Sequence, residues 1–229
     1  MRWVSRLAEL IEDWNYLVQR DGWKSALPVI GQEIVTLPYR RLQFVIVARS
    51  LLEPLPDLQP KIALEIREFK PADVELVRQI HRPSEARALA RRLAHGHVGF
   101  LALYEGQPVG YAWACTQIDP ALERVHLALE PDDVFLTDAY TVPAYRGQGV
   151  QKALKSVRLQ RFRDLGYHRA LTIIEACNYP SLAAWQKVGA QAIGRMTFLR
   201  IGPWRQSWLQ STTHLLPPIC NPAGPTGKN

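Results

Sequence analysis

Apolar residues recur at helical spacing near the start of the chain: Val4, Leu7, Ile11, Trp14 and Val18 step by three and four, and Asp21-Gly22 closes the pattern. The spacing predicts an amphipathic helix over 4–18. A second helical stretch is expected from Trp23 to about Leu37, kinked at Pro28. The period then changes to two. Leu42, Phe44, Ile46 and Ala48 alternate with Gln43, Val45, Val47 and Arg49, a strand with a largely buried setting. Leu51 to Lys61 holds Pro54, Pro56 and Pro60 and reads as a semi-rigid connector. A boundary is placed there, with residues 1–61 as an N-terminal annex of two helices and one strand.

From Ala63 onward strands and helices follow one another. Leu64, Ile66 and Phe69 suggest a strand, Pro71-Ala72-Asp73 opens a helix, and another helix is expected over 84–94. Strands are predicted at 98–104 and 109–116, joined by the turn Glu105-Gly106-Gln107-Pro108, with a further strand at 124–129 in a looser segment. Residues 134–142 form a clear strand, 149–165 a helix stopped by Gly166, and 171–175 a strand. A short helix over 180–188 ends at Gly189, and a strand pair closes the domain at 192–201. This order predicts an α/β (α+β) fold, a mixed sheet with helices on both faces, over residues 62–205. The tail, 206–229, is rich in Pro, Ser, Thr and Gly and is expected to be poorly ordered.

Composition narrows the class. Of 229 residues 47% are hydrophobic and 21% charged, as in an ordinary globular protein. No apolar run approaches the ~20 residues of a membrane-spanning helix, and Glu9, Glu12 and Asp13 interrupt the pattern a signal peptide would need. Cys115, Cys177 and Cys220 lie far apart, which argues against a disulfide framework or a zinc site and suits a cytoplasmic setting. The net charge of +7 suits nucleic acid, an anionic surface or a polyphosphate ligand. Much of it sits on one predicted helix and its flank: Lys152, Lys155, Arg158, Arg161, Arg163 and Arg169 stand against the single acid Asp164. Such a run also reads as a solvated helix face.

The segment Val142-Pro143-Ala144-Tyr145-Arg146-Gly147-Gln148-Gly149-Val150 joins a strand to that basic helix through a glycine turn. The first amides of a helix lack internal partners and carry partial positive charge. Glycine lets a bulky anion approach them, so the junction is a candidate pyrophosphate cradle. A second segment, Asn178-Tyr179-Pro180-Ser181, leads through Trp185-Gln186-Lys187 to Val188-Gly189-Ala190. Read together, the two resemble the GNAT superfamily of acyl-CoA transferases. The first is similar to that family's Arg/Gln-x-x-Gly-x-Gly/Ala loop, and the second to its Asn-x-x-Ser/Ala helix ending in Lys-x-Gly-Phe. The resemblance covers about Ala63 to Arg205.

The resemblance implies a mostly antiparallel, twisted GNAT-like sheet and an N-acyltransferase, with acetyl-CoA or another acyl-CoA as co-substrate, no metal, and an amine acceptor on a small molecule or peptide. It implies that Arg146, Gly147, Gln148, Gly149, Val150, Gln151 and Lys152 hold the CoA pyrophosphate. Ala139, Tyr140 and Thr141 would run alongside the pantetheine and thioester, with a bulge in their strand aiming an amide at the carbonyl. Asn178 would touch the pantetheine arm; asparagine is equally a favoured helix N-cap. Three positions depart from the family pattern: Gln151 replaces Gly or Ala, Ala190 replaces Phe, and Trp185 replaces a tyrosine that protonates the leaving thiolate. An indole N–H cannot be that acid.

Magnitudes weigh the last departure. A thiol of pKa ~8.5 leaves as thiolate at pH 7 for only ~2 kcal/mol relative to its protonated form. An alkylamine of pKa ~10.4 is neutral about once in two thousand, a cost of ~4–5 kcal/mol, so a base matters more than an acid. Asp138, just before the cofactor strand residues, and Glu175, ending the next strand, are the candidate bases, Asp138 first because it shares a strand with the residues expected to hold the thioester; each also reads as a structural acid. Tyr140, Tyr179 and Tyr111 are candidate substitute acids, and equally core or rim residues. The six histidines show no metal-like or triad-like clustering, and His95-Gly96-His97 reads as a loop coincidence. Two other readings stay open: a non-catalytic acyl-CoA sensing module, favoured by Trp185 and Gln151, and a nucleic-acid-associated basic protein, which lacks a recognised motif. The annex stripe is too small for a core of its own, so it must cover the main domain or a second copy of the chain, as in a homodimer.

Overall fold

The computed structural model describes residues 2–24, 26–28, 39–78, 80–81, 83–117, 129–201 and 204–211. Its centre is an 8-stranded sheet in the order β2-β3-β4-β5-β6-β1-β7-β8. The strands are β1 (Tyr39–Ser50), β2 (Glu65–Glu68), β3 (Val98–Tyr104), β4 (Gln107–Cys115), β5 (Asp133–Thr141), β6 (Arg169–Glu175), β7 (Gln191–Ile201) and β8 (Trp204–Ser211). All neighbours are antiparallel except β5 and β6. The helices are α1 (Arg2–Asp21), α2 (Asp73–Arg78), α3 (Pro83–Ala94), α4 (Val150–Asp164) and α5 (Tyr179–Gln186).

Period-two alternation decides which face each strand residue serves. Phe100, Ala102, Val109, Ala112, Ala114, Leu136 and Ile174 pack with Val150, Leu154 and Phe162 of α4 and with Trp185 of α5. Leu101, Leu103, Tyr111 and Trp113 face the other way, against Val77 of α2 and Leu89 of α3. The β3–β4 turn puts Glu105 at φ 50° and Gly106 at φ 76°, the pair of positive φ values that a tight two-residue hairpin needs.

The strand of the expected annex lies inside the sheet. β1 pairs with β6 on one side and β7 on the other, so it is the only described link between the β7–β8 hairpin and the rest of the sheet. Its near-continuous apolar run is the pattern of a strand covered on both faces. Residues 192–201, expected as a strand pair, belong to one long strand, Gln191–Ile201. Its partner is β8, in the stretch from 206 that composition assigns to a loose tail; the ladder runs from Ile201↔Trp204 to Gly194↔Ser211. Cross-strand pairing overrides composition there.

Helix α1 docks on α3. The buried Asp13 carboxylate accepts from Ser84 N and Oγ at 3.3 and 2.6 Å, an anion at a helix N-terminus. Leu17 and Ala26 are buried with Trp14 and Val18 against them, whereas Ile11 is exposed. The second expected helix is present at 23–24 and 26–28; its remainder over 29–37, the Val4 and Leu7 side chains and most of the strand expected at 124–129 lie outside the described residues.

Candidate active site

Strands β5 and β6 run together only from Asp133–Phe135 against Arg169–Leu171. The buried Asp133 carboxylate closes that end, accepting from Arg169 Nε and Nη2 at 2.7 Å each, a two-point pair with fixed geometry. Beyond it the strands part, since β5 continues along β4 and β6 along β1. The gap is a cleft of about 460 Å³, lined on the β5 side by Leu136–Ala139, on the β6 side by Thr172–Glu175, and at its end by Asn178, Ser181 and Trp185.

The predicted bulge is there. Ala112 faces Ala139 and Trp113 faces Thr137, so Asp138 is the extra residue, held at φ 35°. Aspartate tolerates that left-handed backbone better than most side chains. Past the bulge, Val142 N donates to Val109 O at 2.9 Å. By antiparallel alternation the peptide groups of Ala139 and Thr141 then turn away from β4, toward the cleft.

At the far end of β5, a short 3₁₀ turn (Pro143–Tyr145) leads through Gly147, φ 78°, and Gly149, φ 88°, into α4. Ala153 N donates to Gly149 O at 3.0 Å, which leaves the amides of Val150, Gln151 and Lys152 at the open end of the helix. A side chain at Gly147 would meet nothing within 4 Å, so that flank is open to a large anion, and Arg146 and Lys152 are exposed beside it. Gly149 differs: a Cβ there would come within 2.9 Å of Pro60 Cα, and Lys61 N donates to Gln148 O at 2.8 Å. The proline connector braces the loop. Gly110 of β4 has no room for a side chain beneath Val150 Cγ1 at 2.9 Å, which seats the helix N-terminus on the strand.

Both candidate bases border the cleft on the face of α2 and α3. Asp138 pairs with Arg92 of α3. Ile174 packs toward α4, so the next residue, Glu175, points to the opposite face. Its recorded partner is Cys177, whose Sγ lies 3.9 Å from Oε2.

Residues 63–190 match the Acetyltransferase (GNAT) family. The chain belongs to that family. Among solved structures, a GCN5-related N-acetyltransferase from Sphaerobacter thermophilus superposes with a TM-score of 0.52 at 16% identity, covering 84% of this chain and 57% of that one. The chain thus spans little more than half of that protein's length. An aminoglycoside N-acetyltransferase in complex with CoA matches at 23% identity over 55% of this chain and 90% of its own, TM-score 0.43. A ribosomal-protein-alanine N-acetyltransferase from Brucella melitensis matches at 22% over 55% and 83%, TM-score 0.42. No curated protein sequence matches the chain.

The GNAT departures now have physical settings. The Gln151 Nε2 donates to Tyr140 O at 2.6 Å and Thr141 Oγ1 at 2.9 Å, strapping α4 to β5. Asn178 caps α5, its side chain accepting from Ser181 N at 3.2 Å, while also lining the cleft. Ala190 is buried in the main core. Trp185 is buried, with Lys155 Nζ over its ring at 4.3 Å. The basic helix is therefore not simply a solvated face. Lys155 and Arg158 point inward, 7% and 3% exposed, and burial lowers both, Lys155 to about 7 and Arg158 to about 10.

One cluster was not anticipated from the sequence. His81 is buried, its Nδ1 2.6 Å from Glu85 Oε2, and its ring lies 4.2 Å from Tyr140 and 5.2 Å from Tyr111 between centroids. Its Nε2 is buried, with no hydrogen-bond partner among the described residues. Burial, then the charges of Asp138 and Glu85, push the Tyr111 hydroxyl far above its ordinary range, so it is no ready acid or base. The i,i+4 spacing of His81 and Glu85 was the available signal; the tyrosines come from strands no local pattern links to it. Among the described residues no cluster of His, Cys, Asp and Glu could hold a metal. No described helix is long and apolar enough to cross a membrane.

Proposed function

We propose that this GNAT chain is an N-acyltransferase that takes acyl-CoA, acetyl-CoA foremost, and passes the acyl group to an amine by direct attack while both are bound. The observation that carries the reading is the parting of β5 and β6 beside the Asp138 bulge. An open helix end lies at one end of β5, and two carboxylates border the gap on one face. In this reading the amides of Gly147 to Lys152 take the pyrophosphate, with Arg146 and Lys152 adding charge. Ala139, Tyr140, Thr141 and Asn178 lie along the pantetheine, and the Ala139 amide faces the oxygen that gains charge when the amine attacks.

The amine then arrives from the α2–α3 face, where a base must take its proton. Glu175 ranks ahead of Asp138, because an Asp138 oxygen already accepts from Arg92, whereas no cation pairs with Glu175 among the described residues. Asp138 is the second candidate. The test is release of free CoA from acetyl-CoA across a panel of small amines and peptide N-termini. Turnover with at least one acceptor, first order in enzyme, is expected. Tight CoA binding with no acceptor turned over would favour the second reading, a sensing module, which Trp185 in the tyrosine position supports.

A further inference from the structure

One basic side chain lines the cleft and a second stands behind its wall, with no carboxylate bonded to either among the described residues. Lys155 Nζ donates to Ala184 O at 3.0 Å and lies over the Trp185 ring, which lines the cleft. Arg158 lines the cleft itself; its Nη1 donates to Trp113 O at 2.9 Å and its Nε to Leu154 O at 3.3 Å. Trp113 is the residue at which the β4–β5 register shifts, so Arg158 is tied to the bulge. Beyond burial, Lys155 feels the charge of Arg158, and Arg158 feels that of Asp138, itself bound by Arg92.

Two like charges buried one helical turn apart destabilise a fold, and satisfying carbonyls would not require them to be charged. An anion arriving in the cleft reverses that balance. The geometry points to Lys155 and Arg158 as the receiver of the departing CoA thiolate, replacing the acid that Trp185 cannot be. The inference rests on the acyl-CoA reading above. In the step, the amine nitrogen bonds to the thioester carbon and gives its proton to the base on the α2–α3 face. The carbon–sulfur bond then breaks with its electron pair going to sulfur. The thiolate stays an anion beside the two cations and takes a proton from water as CoA leaves. The carboxylates and the cations thus lie on opposite faces of the sheet, one set serving the amine and the other the sulfur. Arg158 borders the sulfur directly. Lys155 acts from behind the Trp185 ring and is a positioning residue. Its depressed proton affinity fits: near neutrality it can take up the proton that a bound thiol gives up.

The test reads ionisation of the bound thiol by ultraviolet thiolate absorbance at pH 7, with desulfo-CoA as the blank and calorimetry to establish saturation. Free thiol of pKa ~8.5 is only about 3% ionised there. More than about half of the bound CoA should be thiolate in the wild-type protein. Lys155→Met should return it below about a tenth, and Lys155→Arg should keep most of it. Bound CoA that stays a thiol in the wild-type protein overturns the inference, as does a thiolate signal unchanged in Lys155→Met. If neither CoA nor desulfo-CoA binds, the acyl-CoA reading fails and takes this inference with it.

Discussion

The sheet has two halves built in different ways. β2 to β5 follow one another along the chain and pair with their sequence neighbours; in the other half β1, from far earlier in the chain, is inserted between β6 and β7, and only β7 and β8 pair as sequence neighbours. The halves pair as strands only along the short parallel stretch that Asp133 and Arg169 clamp, and the cleft opens beyond it. Each half supplies one candidate base, Asp138 from the first and Glu175 from the second.

The second half is the one to break first. A chain starting at Lys61 lacks β1, which exposes the edges of β6 and β7 and leaves the β7–β8 hairpin without its described partner. An isolated two-stranded hairpin is marginal in water, and two raw edges invite aggregation. The shortened chain should be insoluble or lose its cooperative melt, by far the largest effect here. Equal melting temperatures with and without residues 1–60 would show that the halves do not depend on β1.

Chemistry divides the halves next. Once an acceptor is known, replacing the true base by its amide should lower turnover by about 10²–10⁴ with CoA affinity nearly intact. Glu175→Gln is expected to show this loss and Asp138→Asn a smaller one, as a neighbour tied to Arg92. Full activity of both variants with an alkylamine would mean that neither half supplies the base.

A smaller effect separates the cofactor loop from both halves. The Arg146→Glu, Lys152→Glu double variant changes only exposed positions, so it should melt like the parent while CoA affinity falls about 10–100-fold by calorimetry. Unchanged affinity would move the pyrophosphate elsewhere. A substitution at Gly149 is a poorer probe, because it would strike the connector at Pro60 before any ligand.

The same contrast explains what could be read from the residues alone. The hairpin of β3 and β4, the glycine turn and α4 carry local signals, namely alternation, turn residues and helix spacing, and they appear within a residue or two of their expected ends. The bulge came with the family resemblance and is present at Asp138. The place of β1 was not legible, because pairing across more than a hundred residues leaves no local trace. Its apolar run did signal burial on both faces. Nor could the run of lysines and arginines say which would turn inward; Lys155 and Arg158 do so because they share a helix face with Leu154, Leu159 and Phe162. His81 was missed for a related reason, since the tyrosines around it belong to β4 and β5.

The smallest predicted effect tests that inward turn through stability. Lys155 has an ordinary lysine affinity for protons, pKa ~10.4, in the unfolded chain, and burial followed by Arg158 lowers it to about 7 in the folded one. Between these values the unfolded chain binds more protons, so stability rises with pH across that window. Below pH 7 both states are charged, and the full cost of burying the ammonium is present. Lys155→Met removes the group and its pH dependence together. The variant should be more stable than the parent at pH 6 by about 1–2 kcal/mol, the carbonyl and ring contacts of the lysine having offset part of its burial. The parent gains about 2–3 kcal/mol between pH 6 and pH 9, so that advantage should vanish and reverse sign by pH 9. Urea unfolding of both proteins at the two pH values measures it, with the parent's own slope as the reference. A difference that stays constant with pH would mean that Lys155 is charged in both states throughout. The cleft would then carry its positive charge permanently, and an incoming thiol would gain no proton acceptor from the wall.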